Sequence, residues 1–74
     1  MPKLGVFSGR EIRRILEEEG FVCVRQKGSH MVLQKRDAHG TTTVPVPDHA
    51  EIRIGTLQSI IRQSEVARGK FMRP

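Results

Sequence analysis

The sequence has no tryptophan and no tyrosine, and its aromatic content rests on three phenylalanines. A chain of 74 residues buries only roughly 60% of its unfolded surface, so the core is thin and a large cleft or bound organic cofactor is not expected. There is one cysteine, Cys23, which excludes an internal disulfide and fits a reducing cytoplasm. No apolar run approaches the ~20 residues of a membrane span, and no signal peptide is expected. No glycine-rich phosphate loop occurs, which argues against nucleotide hydrolysis. The three histidines and Cys23 do not have zinc spacing, and no carboxylate pair stands out, so no metal site is expected. Repeats and low-complexity segments are also absent, and residues 1–74 read as a single domain.

The sequence does contain an excess of base. Thirteen Lys and Arg against eight Asp and Glu give a net charge of +5, and such a balance in a small domain points to a polyanionic partner. The excess is uneven. Residues 1–20 are balanced, whereas residues 21–40 set Arg25, Lys27, Lys35 and Arg36 against Asp37 alone.

Periodicity supplies the elements. Residues 8–19 form a helix with Ser8 and Glu11 as a capping box, Phe7 and Ile12 as a hydrophobic staple, and Gly20 as a left-handed C-cap. Ile12, Ile15 and Leu16 make its apolar stripe. Residues 21–27 and 30–35 are strands joined by Gly28-Ser29, where glycine in first place suits a type II′ turn. Asp37 to Gly40 is the next turn, and 42–47 a third strand. Pro45 and Pro47, two apart, turn their missing donors to one side, so this strand lies at an edge. Residues 54–64 form a second helix on Leu57, Ile60 and Ile61, and Phe71 of the tail 65–74 packs back. The expected fold is α+β: α-β-β-β-α, a three-stranded antiparallel sheet with both helices on one face.

An even hairpin loop pairs Lys27 with His30, Gln26 with Met31, Arg25 with Val32, Val24 with Leu33 and Cys23 with Gln34. Val22, Val24, Met31 and Leu33 then face the helices. The open face takes Arg25, Lys27, His30, Gln34 and Arg36, with Phe21, Cys23 and Val32 among them. Such a face suits a phosphodiester: cations neutralise phosphate, and a neutral imidazole takes a proton from a ribose 2′-hydroxyl. Arg25, Lys27 or Arg36 would meet the extra transition-state charge. The plain alternative for His30 is an exposed strand histidine with no task. In the first helix Arg10, Arg13 and Arg14 precede Glu17, Glu18 and Glu19, against the helix dipole, as if the arginines served an anionic ligand. A small tolerated cost on a solvated face is the other explanation. His39 and His49 read as loop residues, and Cys23 as a small apolar filler.

These segments resemble the HicA toxin family of bacterial and archaeal toxin–antitoxin pairs. The resemblance is carried by the Ser8-initiated helix ending in Gly20-Phe21, RQKGSH from Arg25 to His30, VPVPDH from Val44 to His49, and GTLQSIIRQ from Gly55 to Gln63. The tail departs from the family pattern, reading SEVARGKF, with Phe71 keeping its place. The resemblance implies a double-stranded-RNA-binding-like fold and an endoribonuclease that cuts mRNA without a metal. It makes His30 the essential residue, with Gly28 and Ser29 in the same motif. It also implies a HicB-type antitoxin that covers the histidine. The expected RNA-contacting set is Lys27, Gly28, Ser29, Arg25, Arg36, Arg10 and Arg14, and the free toxin is expected to be a cytoplasmic monomer. Two other readings are a non-catalytic double-stranded-RNA-binding module and an inactive remnant that only binds antitoxin. The start of the second helix, Arg53 to Thr56, has one base where such RNA-binding modules place a basic motif, which disfavours the former.

Overall fold

The computed structural model describes residues 3–73; Met1, Pro2 and Pro74 of the expected domain lie outside the described residues. The elements run β1 (Lys3–Leu4), α1 (Gly9–Glu18), β2 (Val22–Lys27), β3 (His30–Asp37), β4 (Gly40–Pro47), α2 (Ile54–Ser64), a 3-10 turn (Arg68–Phe71) and β5 (Met72–Arg73). Strands β2, β3 and β4 form an antiparallel meander with β3 central, so β4, with its two prolines, is an edge as expected. β1 and β5 pair as a separate two-stranded ribbon that the sequence did not announce. Among the described residues no helix is long and apolar enough to cross a membrane.

The first helix starts as its residues dictate. The Ser8 side chain accepts from the Glu11 amide at 3.1 Å, and the Glu11 carboxylate accepts from the Ser8 amide at 2.9 Å. Phe7 and Ile12 are both buried, as a staple requires. At the other end the Phe21 amide donates to Leu16 and the Gly20 amide to Glu17, with Gly20 at a φ of 99°. This is a Schellman closure, and its accompanying apolar contact draws Phe21 inward beside Leu16.

One core receives both helices. Ile12 and Leu16 of α1 and Leu57, Ile60 and Ile61 of α2 join Met31, Leu33, Val44 and Val46 from one face of the sheet. Phe71 is fully buried and meets Phe7 edge-on, ring centroids 6.3 Å apart.

The register of β2 corrects the expected faces. Lys27, Gln26 and Arg25 pair with His30, Met31 and Val32 as expected, but Cys23 pairs with Leu33 and Val22 with Gln34. Val24 is the extra residue of a β-bulge. Val22 and Val24, expected in the core, are 62% and 51% exposed, whereas Phe21, expected on the open face, is 2% exposed and Cys23 packs against the core. The reason is parity. Phe21 and Lys27 are six residues apart and would share a face in an unbroken strand. The Schellman closure holds Phe21 inward while the hairpin turns Lys27 outward, and one inserted residue reconciles them.

Candidate active site

The histidine of interest is set by the turn before it. Gly28 has a φ of 58° and Ser29 a negative φ, the combination of a type II′ turn. The constraint at Gly28 is conformational, because a β-carbon there would meet nothing within 4 Å. The turn closes at the Lys27–His30 pair, and His30 opens β3 with Lys27 on one side and Pro47 on the other. Directly opposed β-carbons stand about 5 Å apart, so the imidazole and the lysine stem are immediate neighbours.

The helix-free face can be read from the register. It carries Val22, Arg25 and Lys27 from β2, His30, Val32, Gln34 and Arg36 from β3, and Thr41, Thr43, Pro45 and Pro47 from β4. Among these there are three cations, one histidine and no carboxylate. His30, Lys27, Arg25 and Arg36 are all exposed, and none of their side chains makes a hydrogen bond or ion pair among the described residues. Gln34, by contrast, is tied to the Thr43 hydroxyl at 3.2 Å.

Not every expected residue gathers here. Arg25 sits one row from His30, opposite Val32. Arg36 shares the face but lies six residues along β3, roughly 20 Å away at 3.3 Å per residue. Arg10 and Arg14 belong to α1, on the far side of the sheet. There they line a groove with Arg13, Glu17, Gln26 and Met31. His39 is the turn residue it was read to be, its amide donating to the Asp37 carboxylate at 2.8 Å. His49 is exposed in the loop after β4, where its carbonyl accepts from the Gly9 amide.

Asp48 is a structural partner of this region that sequence reasoning passed over. Its amide donates to the Ser29 carbonyl, while its carboxylate accepts from Arg10 Nε and from Gln26 Nε2, each at 3.3 Å. One residue therefore ties the hairpin turn to β2 and to α1. The only local sign was an acid directly after the proline-bearing strand.

The model of the HicA toxin of bacterial toxin–antitoxin systems matches residues 9–66. The chain belongs to the HicA toxin family. The match spans α1 through α2, takes in the whole meander, and so includes the Gly28-Ser29-His30 turn of this HicA toxin. No curated protein matches the chain significantly. Membership carries the role of toxin in a toxin–antitoxin pair, and among the described residues the HicA scaffold offers that role a helix-free, acid-free sheet face with one unpartnered imidazole.

Proposed function

We propose that this HicA toxin is an endoribonuclease that cleaves mRNA without a metal, with His30 as general base and acid. The neutral imidazole takes the proton of a ribose 2′-hydroxyl, and the 2′-oxygen attacks the adjacent phosphorus in line. The bond from phosphorus to the 5′-oxygen breaks, and the imidazolium returns its proton to that leaving oxygen. The products are a 2′,3′-cyclic phosphate on one fragment and a 5′-hydroxyl on the other. Lys27, directly across from His30, and Arg25, one row on, stabilise the charge that builds on the phosphoryl oxygens. Gly28 and Ser29 shape the turn that presents the ring, and Arg36 meets the RNA backbone farther along.

The observation that supports this reading is the company His30 keeps: an exposed, unbonded imidazole opposite a lysine on a face without carboxylates. The partner in this reading is a HicB-type antitoxin that covers His30, and the free toxin is a cytoplasmic monomer.

Induced expression of wild type beside His30→Ala tests it. Wild type is expected to arrest growth and deplete RNA, and purified protein to leave cyclic-phosphate ends in the presence of EDTA. His30→Ala is expected to do neither. Undiminished cleavage by His30→Ala would overturn the mechanism. Equal RNA binding by both proteins without any cleavage would instead make the domain a binding module.

A further inference from the structure

The groove between α1 and the outer strand β2 has no part in the chemistry above. It has a volume of about 380 Å³ and is lined by Arg10, Arg13, Arg14, Glu17, Gln26 and Met31. Its arginines are engaged to different degrees. Arg13 is held by Glu17 at 3.2 Å and lies 3.8 Å from the Met31 sulfur. Arg10 is 81% exposed and touches the Asp48 carboxylate at 3.3 Å. Arg14 is exposed and has no side-chain partner among the described residues.

Three features suit this groove to an anionic ligand. Apart from Glu11, which is committed to the capping box, Arg10, Arg13 and Arg14 precede Glu17 and Glu18 of α1 and Glu19 of its cap, an order that the helix dipole disfavours. The Arg10–Asp48 contact is a single 3.3 Å approach by an arginine open to solvent, and Gln26 still satisfies the half-buried carboxylate, so a phosphate can compete for the Arg10 guanidinium at small cost. The groove also adjoins the candidate active site around one strand. Along β2, Arg25 and Lys27 point to the helix-free face while Gln26 lines the groove, and Asp48 joins Arg10 to Ser29, the residue before His30. β2 is an outer strand, so no further strand blocks passage from one side to the other.

We infer that this groove is a second phosphodiester-binding site, which holds the RNA backbone at a distance from the scissile bond and selects a flexible single strand. The inference rests on the reading of His30 as an RNA-cleaving residue. The two sites open on opposite sides of one sheet, so a strand engaging both must fold around the β2 margin. A stiff duplex cannot make that turn within a few nucleotides, whereas a single strand can. Asp48 occupies Arg10 in the free protein and gives way to phosphate when RNA arrives.

Binding of a labelled single-stranded oligouridylate to the full chain carrying His30→Ala tests the groove without relying on cleavage. Adding Arg10→Ala and Arg14→Ala is expected to weaken binding about tenfold and to lower the salt slope by about 1.4, or about 0.7 for each phosphate that is no longer neutralised. Arg14→Lys is expected to restore part of the affinity, and Asp48→Asn, which removes the competing carboxylate, to tighten binding. These opposite signs separate the effect from misfolding. Unchanged affinity and salt slope in the arginine variants would overturn the inference. So would loss of antitoxin binding in those variants with RNA binding intact, which would assign the groove to the protein partner. Failure of the cleavage reading has a different signature: wild type leaves RNA uncut, whatever the groove variants bind.

Discussion

Gly9 lies so close to Pro47 that a β-carbon on the glycine would collide with the proline's carbonyl oxygen. The contact is between backbones, the first residue of α1 against the last of β4, so no side chain can swing aside to relieve it. Gly9 also donates its amide to the His49 carbonyl at 2.9 Å, and Pro47 is the residue across from His30. Gly9→Ala is therefore expected to destabilise the fold by about 1–3 kcal/mol, the usual cost of overpacking. Urea unfolding measures this, and residual cleavage by the folded fraction is expected to fall with it as β4 shifts beside His30.

Lys27 provides a test of the face itself. It is exposed, so Lys27→Ala is expected to change stability by no more than about 0.5 kcal/mol. Its removal is nonetheless expected to lower kcat for RNA cleavage about a hundredfold, the scale seen when a transition-state donor is deleted. Arg36→Ala is expected to raise KM and flatten the salt dependence while sparing kcat, because Arg36 reaches the backbone only far from the scissile bond. Steady-state kinetics on one RNA at several salt concentrations separates the two.

The bulge at Val24 yields a ranking. Val22→Ser and Val24→Ser are expected to stay within about 0.5 kcal/mol of wild type, since both valines face solvent. Phe21→Ala is expected to cost about 3–5 kcal/mol. Chemical denaturation gives the order directly, and costly valine substitutions beside a harmless one at Phe21 would mean an unbroken strand.

Glu65 caps α2 with a φ of 59° and a ψ of 17°, and it is the one non-glycine residue with positive φ among those described. A β-carbon in that conformation costs about 1–2 kcal/mol, part of which glycine recovers after its larger unfolded-state entropy is counted. Glu65→Gly is expected to stabilise the protein by about 0.5–1 kcal/mol, which thermal unfolding would register as a rise of several degrees.

Much of the architecture was legible because it is written locally. The Ser8–Glu11 box, the Gly20 cap, the Gly28-Ser29 turn and the Leu57–Ile60–Ile61 stripe each lie within a few residues, and each formed as read. β3 and β4 run two residues closer to their shared turn than expected, because Asp37 and Gly40 themselves pair. The faces of β2 beyond Arg25 were misread because two local signals conflict there, and only their joint satisfaction requires a bulge. Leu16 and Phe21 held the clue, since a Schellman closure brings its own apolar contact. β1 and β5 are too short for any period to show, and they pair across nearly the whole chain. Within the site, the Lys27–His30 pairing followed from the turn alone. The bridge from Asp48 to Arg10 spans 38 positions and has no local signature.

The two prolines of β4 have a consequence for solubility. With Pro45 and Pro47 both lacking an amide hydrogen, the outer border of the meander cannot template the regular ladder by which sheets lengthen into fibrils. A small basic protein with a thin interior is thereby guarded along that border against self-association. A neighbour that adds a full-length strand to this sheet meets fewer missing donors at the opposite margin, where Val24 nonetheless disrupts the spacing.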